Sequence, residues 1–198
     1  QDISPEKRGM SRSELLLIYS VISHFKCKNI VESGRARGYS TQVLAKALPQ
    51  SKITSIDFDK YSEDTKYSER ILKNFKNVKL VYGNSKKIIP SHIKKNTILV
   101  VDGPKGEDAI VMVAELLLKY PQISAVFIDD LSKEIYEREI AKSIFPKIMF
   151  ADDESFVKEF RSLDQKKNTL KPHIALIYNS KNCVNKKILN NYLTYYKN

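Results

Sequence analysis

The chain has 198 residues, 42% of them hydrophobic, and a formal net charge of +11. That length and apolar content suit one domain with a sizeable core, and no apolar run nears the ~18 residues a membrane-crossing helix needs. Two cysteines, Cys27 and Cys183, are too few for a disulfide framework and lack metal-type spacing, so a reducing compartment, the cytoplasm, is expected.

The positive charge suits an anionic partner such as nucleic acid, a membrane surface or a phosphorylated substrate. Most of it is lysine spread along the chain, with mild concentrations at Lys94-Lys95, Lys166-Lys167 and Lys186-Lys187. Composition alone explains such a spread equally well.

In chain order, Ser11-x-x-Glu14 reads as a capping box opening a helix to Phe25. A strand over Asn29–Glu32 follows, then a loop with glycines at 34 and 38, then a helical pattern over Tyr39–Leu48. Strand, glycine loop and helix open a nucleotide-binding α/β unit, although Ala36 stands where a middle glycine of the dinucleotide fingerprint would be. Gly34 suits the tight turn, and Gly38 suits close approach of backbone to a ligand. Arg35 and Arg37 flank Ala36 and read either as anion-binding or as solvated loop arginines.

Further strands are predicted at Lys52–Asp57, Val78–Tyr82, Thr97–Asp102, Ser124–Ile128, Lys147–Phe150 and His173–Tyr178. Helical patterns fill the intervals at Glu63–Phe75, Lys86–Ile93, Asp108–Tyr120, Ser132–Ile144 and Asp153–Leu163. Central runs such as Ile98-Leu-Val-Val101 are continuously apolar, as parallel strands covered on both faces require. The alternation predicts an α/β fold with a Rossmann-like, doubly wound, seven-stranded and mostly parallel sheet. One domain is expected, with an N-terminal helical segment over about 1–28, the core over 29–178 and a basic tail over 179–198. That tail reads as a docked helix or a frayed end.

Ligands of such sheets sit outside the carboxyl ends of the strands. Five strands end there in acids or small polar groups: Glu32, Asp57, Gly83-Asn84-Ser85, Asp102 and Asp129-Asp130. Asp57 lies 19 residues after Gly38, near the ~20-residue offset at which a second-strand acid reaches ribose hydroxyls; Asp59 competes for that role. His24, His92 and His173 fall on separate elements and form no metal-spaced set. A phosphate-binding Gly-x4-Gly-Lys-Ser/Thr loop is absent, as are the Asp/Asn-Pro-Pro-aromatic and Pro-Cys signatures of amino and cytosine methylation.

Glu32-Ser-Gly34-Arg-Ala-Arg-Gly38-Tyr39-Ser40 resembles the first motif, ExGxxxGxS, of class I S-adenosylmethionine-dependent methyltransferases of the catechol O-methyltransferase-like branch. The segment from Val78 to Pro90 is similar to that branch's third-strand region, Asp102-Gly-Pro-Lys105 to its Asp-x-x-Lys, and Asp129-Asp130 to its Asp-Asn pair. The resemblance spans about residues 5 to 178 and implies S-adenosyl-L-methionine as cofactor. Gly34, Gly38 and the backbone after Glu32 would cradle its methionine part, with Ser40 nearby; Asp57 would hold its ribose, and Asn84, Ser85 and Lys86 would approach its adenine. It further implies Mg²⁺ held by Asp102, Asp129 and Asp130, with Lys105 taking a proton from the acceptor hydroxyl.

Two departures stand out. Asp130 replaces Asn, and Gly103 replaces a residue that commonly packs on adenine. Gly103-Pro104-Lys105-Gly106 also reads as a plain turn, and Asp129 or Asp130 as the start of the next helix. The expected acceptor is a small hydroxylated molecule, with or without a carboxylate or phosphate group. RNA methylation and cofactor binding without transfer are the alternatives, and a metal-free enzyme would use Asp102 directly.

Overall fold

The structure, a computed structural model, describes residues 9–153 and 173–196. Helix α1 (Arg12–His24) leads into β1 (Asn29–Ser33), α2 (Tyr39–Ala47), β2 (Lys52–Asp57), α3 (Glu63–Leu72) and β3 (Val78–Tyr82). Then come α4 (Ser85–His92), β4 (Thr97–Val101), α5 (Gly106–Lys119), β5 (Ile123–Ile128) and α6 (Tyr136–Ile144). Strands β6 (Met149–Phe150) and β7 (Ala175–Tyr178) and helix α7 (Lys186–Tyr196) follow. The helix expected over Asp153–Leu163 lies, beyond Asp153, outside the described residues.

The seven strands form one sheet in the order β3-β2-β1-β4-β5-β7-β6. The first five are parallel, whereas β7 runs antiparallel to both β5 and β6. All five residues of β4 are buried, as its uninterrupted apolar run requires at the centre of a doubly covered sheet. Alternate strand residues face opposite layers. Val31, Leu99, Val101, Val126 and Ile128 pack with α5 and α6, and Ile30, Ile53, Ile98, Val100 and Phe127 with α1 and α2.

Helix α1 begins with the expected capping box: the Ser11 hydroxyl accepts from the Glu14 N–H, and Glu14 Oε2 accepts from the Ser11 N–H at 2.6 Å. The C-terminal stretch is a docked helix. Leu189 of α7 is buried in the layer of α5 and α6, and the Tyr192 hydroxyl donates to Glu107 at the start of α5.

One boundary differs by several residues. Helix α6 starts at Tyr136 with Ile135 as its N-cap, not at Ser132, so neither Asp129 nor Asp130 caps it. The chain turns first. Asp130 adopts a left-handed φ of 60°, and Leu131 behind it is buried in the core. No helix among the described residues is long and apolar enough to cross a membrane.

Candidate active site

The strand order reverses between β1 and its neighbour β4, whose following loops diverge to opposite faces and leave a crevice at their carboxyl ends. Backbone hydrogen bonds continue past the strands there: Asp102 and Gly103 N–H both donate to the Ser33 carbonyl, and Gly34 N–H to Ile56. This pins the two loops against each other. Gly34 has φ +91°, and a Cβ on it would lie 2.6 Å from the Asp102 carbonyl carbon and the Gly103 nitrogen. Its bareness therefore serves loop-to-loop contact as well as the turn.

Gly38 precedes α2 with φ +79°, and a Cβ there would meet Leu72 Cδ1 at 3.0 Å and Ser68 Cβ at 3.2 Å. On its Cβ side the space it leaves is filled by α3. Ala36, between the two glycines, also has a positive φ of 44°, and its N–H donates to Asp57 Oδ2 at 2.7 Å. The second-strand acid thus holds the loop of the first strand in shape.

A cleft of about 420 Å³ opens beside this junction, lined by Gly34, Asp57, Asn84, Ser85 and Lys86 and, across from them, by residues of the β4–α5 segment. Asn84 caps α4 by accepting from the Lys86 N–H at 2.9 Å. The Ser85 and Ser33 hydroxyl oxygens lie 2.6 Å apart, and Ser33 also bonds the Gly103 carbonyl. Where Gly103 leaves no wall, Val111 and Met112 of α5 line the cleft instead.

Phe58 was missed. It follows Asp57 directly, lines the cleft, and is 77% exposed. An aromatic ring left in solvent at the edge of a cleft offers a flat apolar face, and its position right after the strand-end carboxylate was the available signal.

The side chains of Glu32 and Ser40 meet beneath the β1 loop. Glu32 is fully buried and accepts from the hydroxyls of Ser40 at 2.5 Å, Ser55 at 2.7 Å and Thr41. Three donors satisfy this carboxylate beneath the loop, so its side chain braces β1, α2 and β2 and does not line the main cleft. Ser40 borders a smaller hollow together with Gly38, Arg37 and Asp102.

Arg35 is neither solvated nor turned toward an anion. It is 2% exposed, donates to the Ser55 carbonyl at 2.8 Å and Ser68 Oγ at 3.1 Å, and lies over the Tyr82 ring. Burial and the hydrogen bond to Glu69 push the Tyr82 phenol up to about 12. Arg37 is half exposed, 3.9 Å from Asp64 and stacked over Tyr67.

Just past the carboxyl ends of β4 and β5 the structure brings Asp102, Asp129 and Asp130 together, with one carboxylate oxygen of each within 4.8 Å of the others. Lys105 donates to Asp102 and, at 2.5 Å, to Asp130. Burial, then the Asp129 charge, pushes the Asp102 carboxyl up to about 8. Burial and the Asp130 charge also raise Asp129. Burial pulls the Lys105 ammonium down, but Asp102, Asp130 and Asp129 outweigh it and leave the group above its ordinary value. That corrects one expectation, because a base needs the lowered value. As it stands, Lys105 is a charged partner of the acids.

The loop carrying the acid pair is held at both sides of Leu131. Its N–H donates to the His173 carbonyl at 2.7 Å, and its carbonyl accepts from Arg138 Nη1 at 2.9 Å. Arg138 is buried, forms a two-pronged pair with Asp152 at 2.8 and 3.0 Å, and stacks over Phe150. His173 N–H in turn donates to the buried Glu14, whose carboxyl is raised by burial and by the charge of Asp129.

A family model described as a methyltransferase domain matches residues 31–131, just over half of the chain. Comparison with curated proteins finds no match. Among solved structures, the fold is similar to the O-methyltransferase TomG from Streptomyces achromogenes, involved in tomaymycin synthesis and solved with SAM (16% identity, 85% of this chain, 80% of that one, TM-score 0.53). A methyltransferase from Geobacter sulfurreducens is 14% identical over 85% of this chain and 79% of that one, with a TM-score of 0.54. The SAH-bound methyltransferase PaMTH1 from Podospora anserina is 18% identical, with a TM-score of 0.52. That match covers 62% of this chain and spans only 54% of the Podospora protein. The β1 loop, Asp57, the β3–α4 corner, Asp102–Lys105 and the acid pair all fall inside the matched residues, and the chain belongs to the family of methyltransferase domains.

Proposed function

We propose that this chain binds S-adenosylmethionine in the 420 Å³ cleft and transfers its methyl group to a hydroxyl oxygen of a small molecule. The observation that carries this reading is the meeting of Asp102, Asp129, Asp130 and Lys105 just past the carboxyl ends of β4 and β5, next in sequence to Gly103 and Pro104 of the cleft wall. TomG, an O-methyltransferase solved with SAM on the same fold, agrees with it. Asp57 would accept from the ribose hydroxyls with the lone pairs left over from Ala36 and Asp59 N–H. Phe58 would cover the purine.

The reaction breaks the bond from methyl carbon to sulfonium sulfur as the acceptor oxygen bonds to that carbon. The protein has to align the three atoms and receive the hydroxyl proton. Asp102, near 8, is matched to that proton at neutral pH. Lys105 becomes available for it only when another cation takes over its carboxylate partners.

The donor set fits such a cation. It consists of oxygen ligands alone, as Mg²⁺ prefers, and the cluster already draws the Lys105 ammonium between two of its members. Asp102, Asp129 and Asp130 would hold the ion, which when bound would lower the pKa of the acceptor hydroxyl. The second reading, Asp102 acting without metal, is favoured by Lys105 standing in that same place. Methyl transfer to a panel of catechols and phenols, with Mg²⁺ or with chelator, separates the two. Loss of turnover in chelator supports the ion; unchanged turnover assigns the proton to Asp102.

Acidic groups dominate the acceptor end, which disfavours a polyphosphate chain unless a cation offsets them. RNA as acceptor would be revealed by affinity falling steeply and linearly with log salt. For the cofactor, Asp57→Ala is expected to weaken S-adenosylhomocysteine binding roughly 10- to 100-fold, the cost of losing hydrogen bonds to a charged group. Equilibrium dialysis checks this; unchanged affinity would remove Asp57 from the ribose site.

A further inference from the structure

We propose that the end of the sheet opposite the acid cluster is a docking face for duplex nucleic acid, held through its phosphates. The inference goes beyond the methyl-transfer reading and does not depend on it. Lysines that are spread along the sequence are gathered at this end by topology. Lys76, Lys52 and Lys28 stand at the entries to β3, β2 and β1, and Lys94 and Lys95 at the entry to β4. Lys119 precedes β5, and Lys147 precedes β6. Strand β7 runs the other way, so Lys181 at its exit comes to the same end. All of these are exposed, and none forms an ion pair with a described residue.

The acids are sorted the other way. The segments joining each of α1 to α6 to the next strand, and β7 to α7, contain no Asp or Glu. Asp57, Asp59, Asp102, Asp129, Asp130 and Glu134 all lie at or after strand exits at the opposite end. Helix dipoles explain part of this, since cations are favoured in the last turn of a helix. That covers Lys119 in α5. It does not cover Lys28, Lys52, Lys76, Lys94, Lys95 and Lys147, which lie past the helix ends.

The shape suits a linear polyanion. Strands ~4.8 Å apart make a seven-stranded sheet roughly 29 Å wide, and the lysines form a band along that width. A duplex offers one phosphate charge per ~1.7 Å of its axis. Asn74, Asn96 and Asn182 are exposed between the lysines and add hydrogen-bond donors. A single strand would need open aromatic faces, whereas Phe25 packs on Tyr178 and Phe75 against the core. An anionic bilayer fits less well, because a basic patch holds stably there only with an apolar anchor. Of the exposed large apolar side chains among the described residues, Leu118 alone lies beside this end. The five residues of β4 separate the face from Asp102, roughly 17 Å at ~3.3 Å each, so a duplex bound there is a docking partner and not the methyl acceptor.

The test is fluorescence anisotropy of labelled DNA and RNA duplexes with the native chain and two double variants of equal charge change. Lys28→Glu/Lys94→Glu lies on this face, and Lys60→Glu/Lys133→Glu lies near the opposite end. The native chain is expected to bind both duplexes alike, with affinity falling linearly against log salt. Lys28→Glu/Lys94→Glu should weaken binding at least about tenfold and reduce the salt slope by about two. The other pair should change affinity by less than about threefold, because screening limits the reach of a distant charge. A lower urea midpoint with unchanged duplex binding in Lys28→Glu/Lys94→Glu would leave the lysines a helix-dipole role only and overturn the assignment. So would equal weakening by both pairs, or weakening by Lys60→Glu/Lys133→Glu alone, which would place nucleic acid at the acceptor end. Native protein that binds phosphatidylserine vesicles but no duplex, or neither, at about 50 mM salt would overturn it as well.

Discussion

Gly34→Val is expected to cost the fold roughly 2–6 kcal/mol and to abolish cofactor binding. Two penalties combine: a branched side chain forced to positive φ, about 1–3 kcal/mol, and overpacking against neighbours, about 1–3 kcal/mol. The neighbours cannot give way. A Cβ at Gly34 would lie 2.6 Å from backbone atoms of Asp102 and Gly103, which are held by hydrogen bonds to the Ser33 carbonyl. Relief would require parting the β1 and β4 loops, and with them the wall of the cleft. Gly38→Ala should be milder, about 1–2 kcal/mol, since it meets side-chain atoms, Leu72 Cδ1 and Ser68 Cβ, rather than backbone. Urea denaturation of the two variants checks the order. A Gly34 variant as stable as the native protein would show that the loops do not touch as described.

Asp102→Asn is expected to slow methyl transfer roughly 100- to 10,000-fold, the range for losing a positioned acid–base group, while stabilising the metal-free protein above pH 7. The sign follows from the raised carboxyl. In the unfolded chain Asp102 titrates near 3.8 and in the fold near 8, so the folded state binds the extra proton between those values. Its contribution to stability is complete below about pH 4 and is lost as pH rises toward 8, by up to about 1.4 kcal/mol per pH unit for one proton. The neutral amide removes that slope. Urea midpoints measured between pH 4 and 8 should fall with pH for the native chain and run flatter for Asp102→Asn. Mg²⁺, if it binds, should stabilise the native chain more at pH 8 than at pH 5, because it competes with those protons. Equal slopes for the two proteins would place Asp102 outside the strained cluster.

Much of the scaffold is written in local pattern. β2 and β3 fall where alternating or continuous apolar residues placed them, at Lys52–Asp57 and Val78–Tyr82. The direction of β7 is not so written. Ala175–Tyr178 is a short buried run like those of the parallel strands, and only its pairing with β5 and β6 makes it antiparallel. The start of α6 escaped for a similar reason. Burial of Leu131 and the Arg138 bond to its carbonyl override a helical pattern that begins at Ser132.

The site was legible as a set of strand ends, because topology alone carries those residues to one edge. What each side chain does there depends on neighbours distant in sequence. Arg35 and Arg37 look alike in the loop, yet Arg35 reaches Ser55 and Ser68 and is buried, whereas Arg37 stays at the surface. Glu32 reads as a ligand-side acid until Ser40, Thr41 and Ser55 are seen to occupy it. Lys105 reads as a base until its charge is counted against three carboxylates.

The most direct test of the central claim is calorimetric titration of the native chain with S-adenosylmethionine and S-adenosylhomocysteine. One-to-one binding of both, weakened by Asp57→Ala and lost in Gly34→Val, is the predicted result. No heat from either ligand, or saturable binding of NAD in their place, would contradict it.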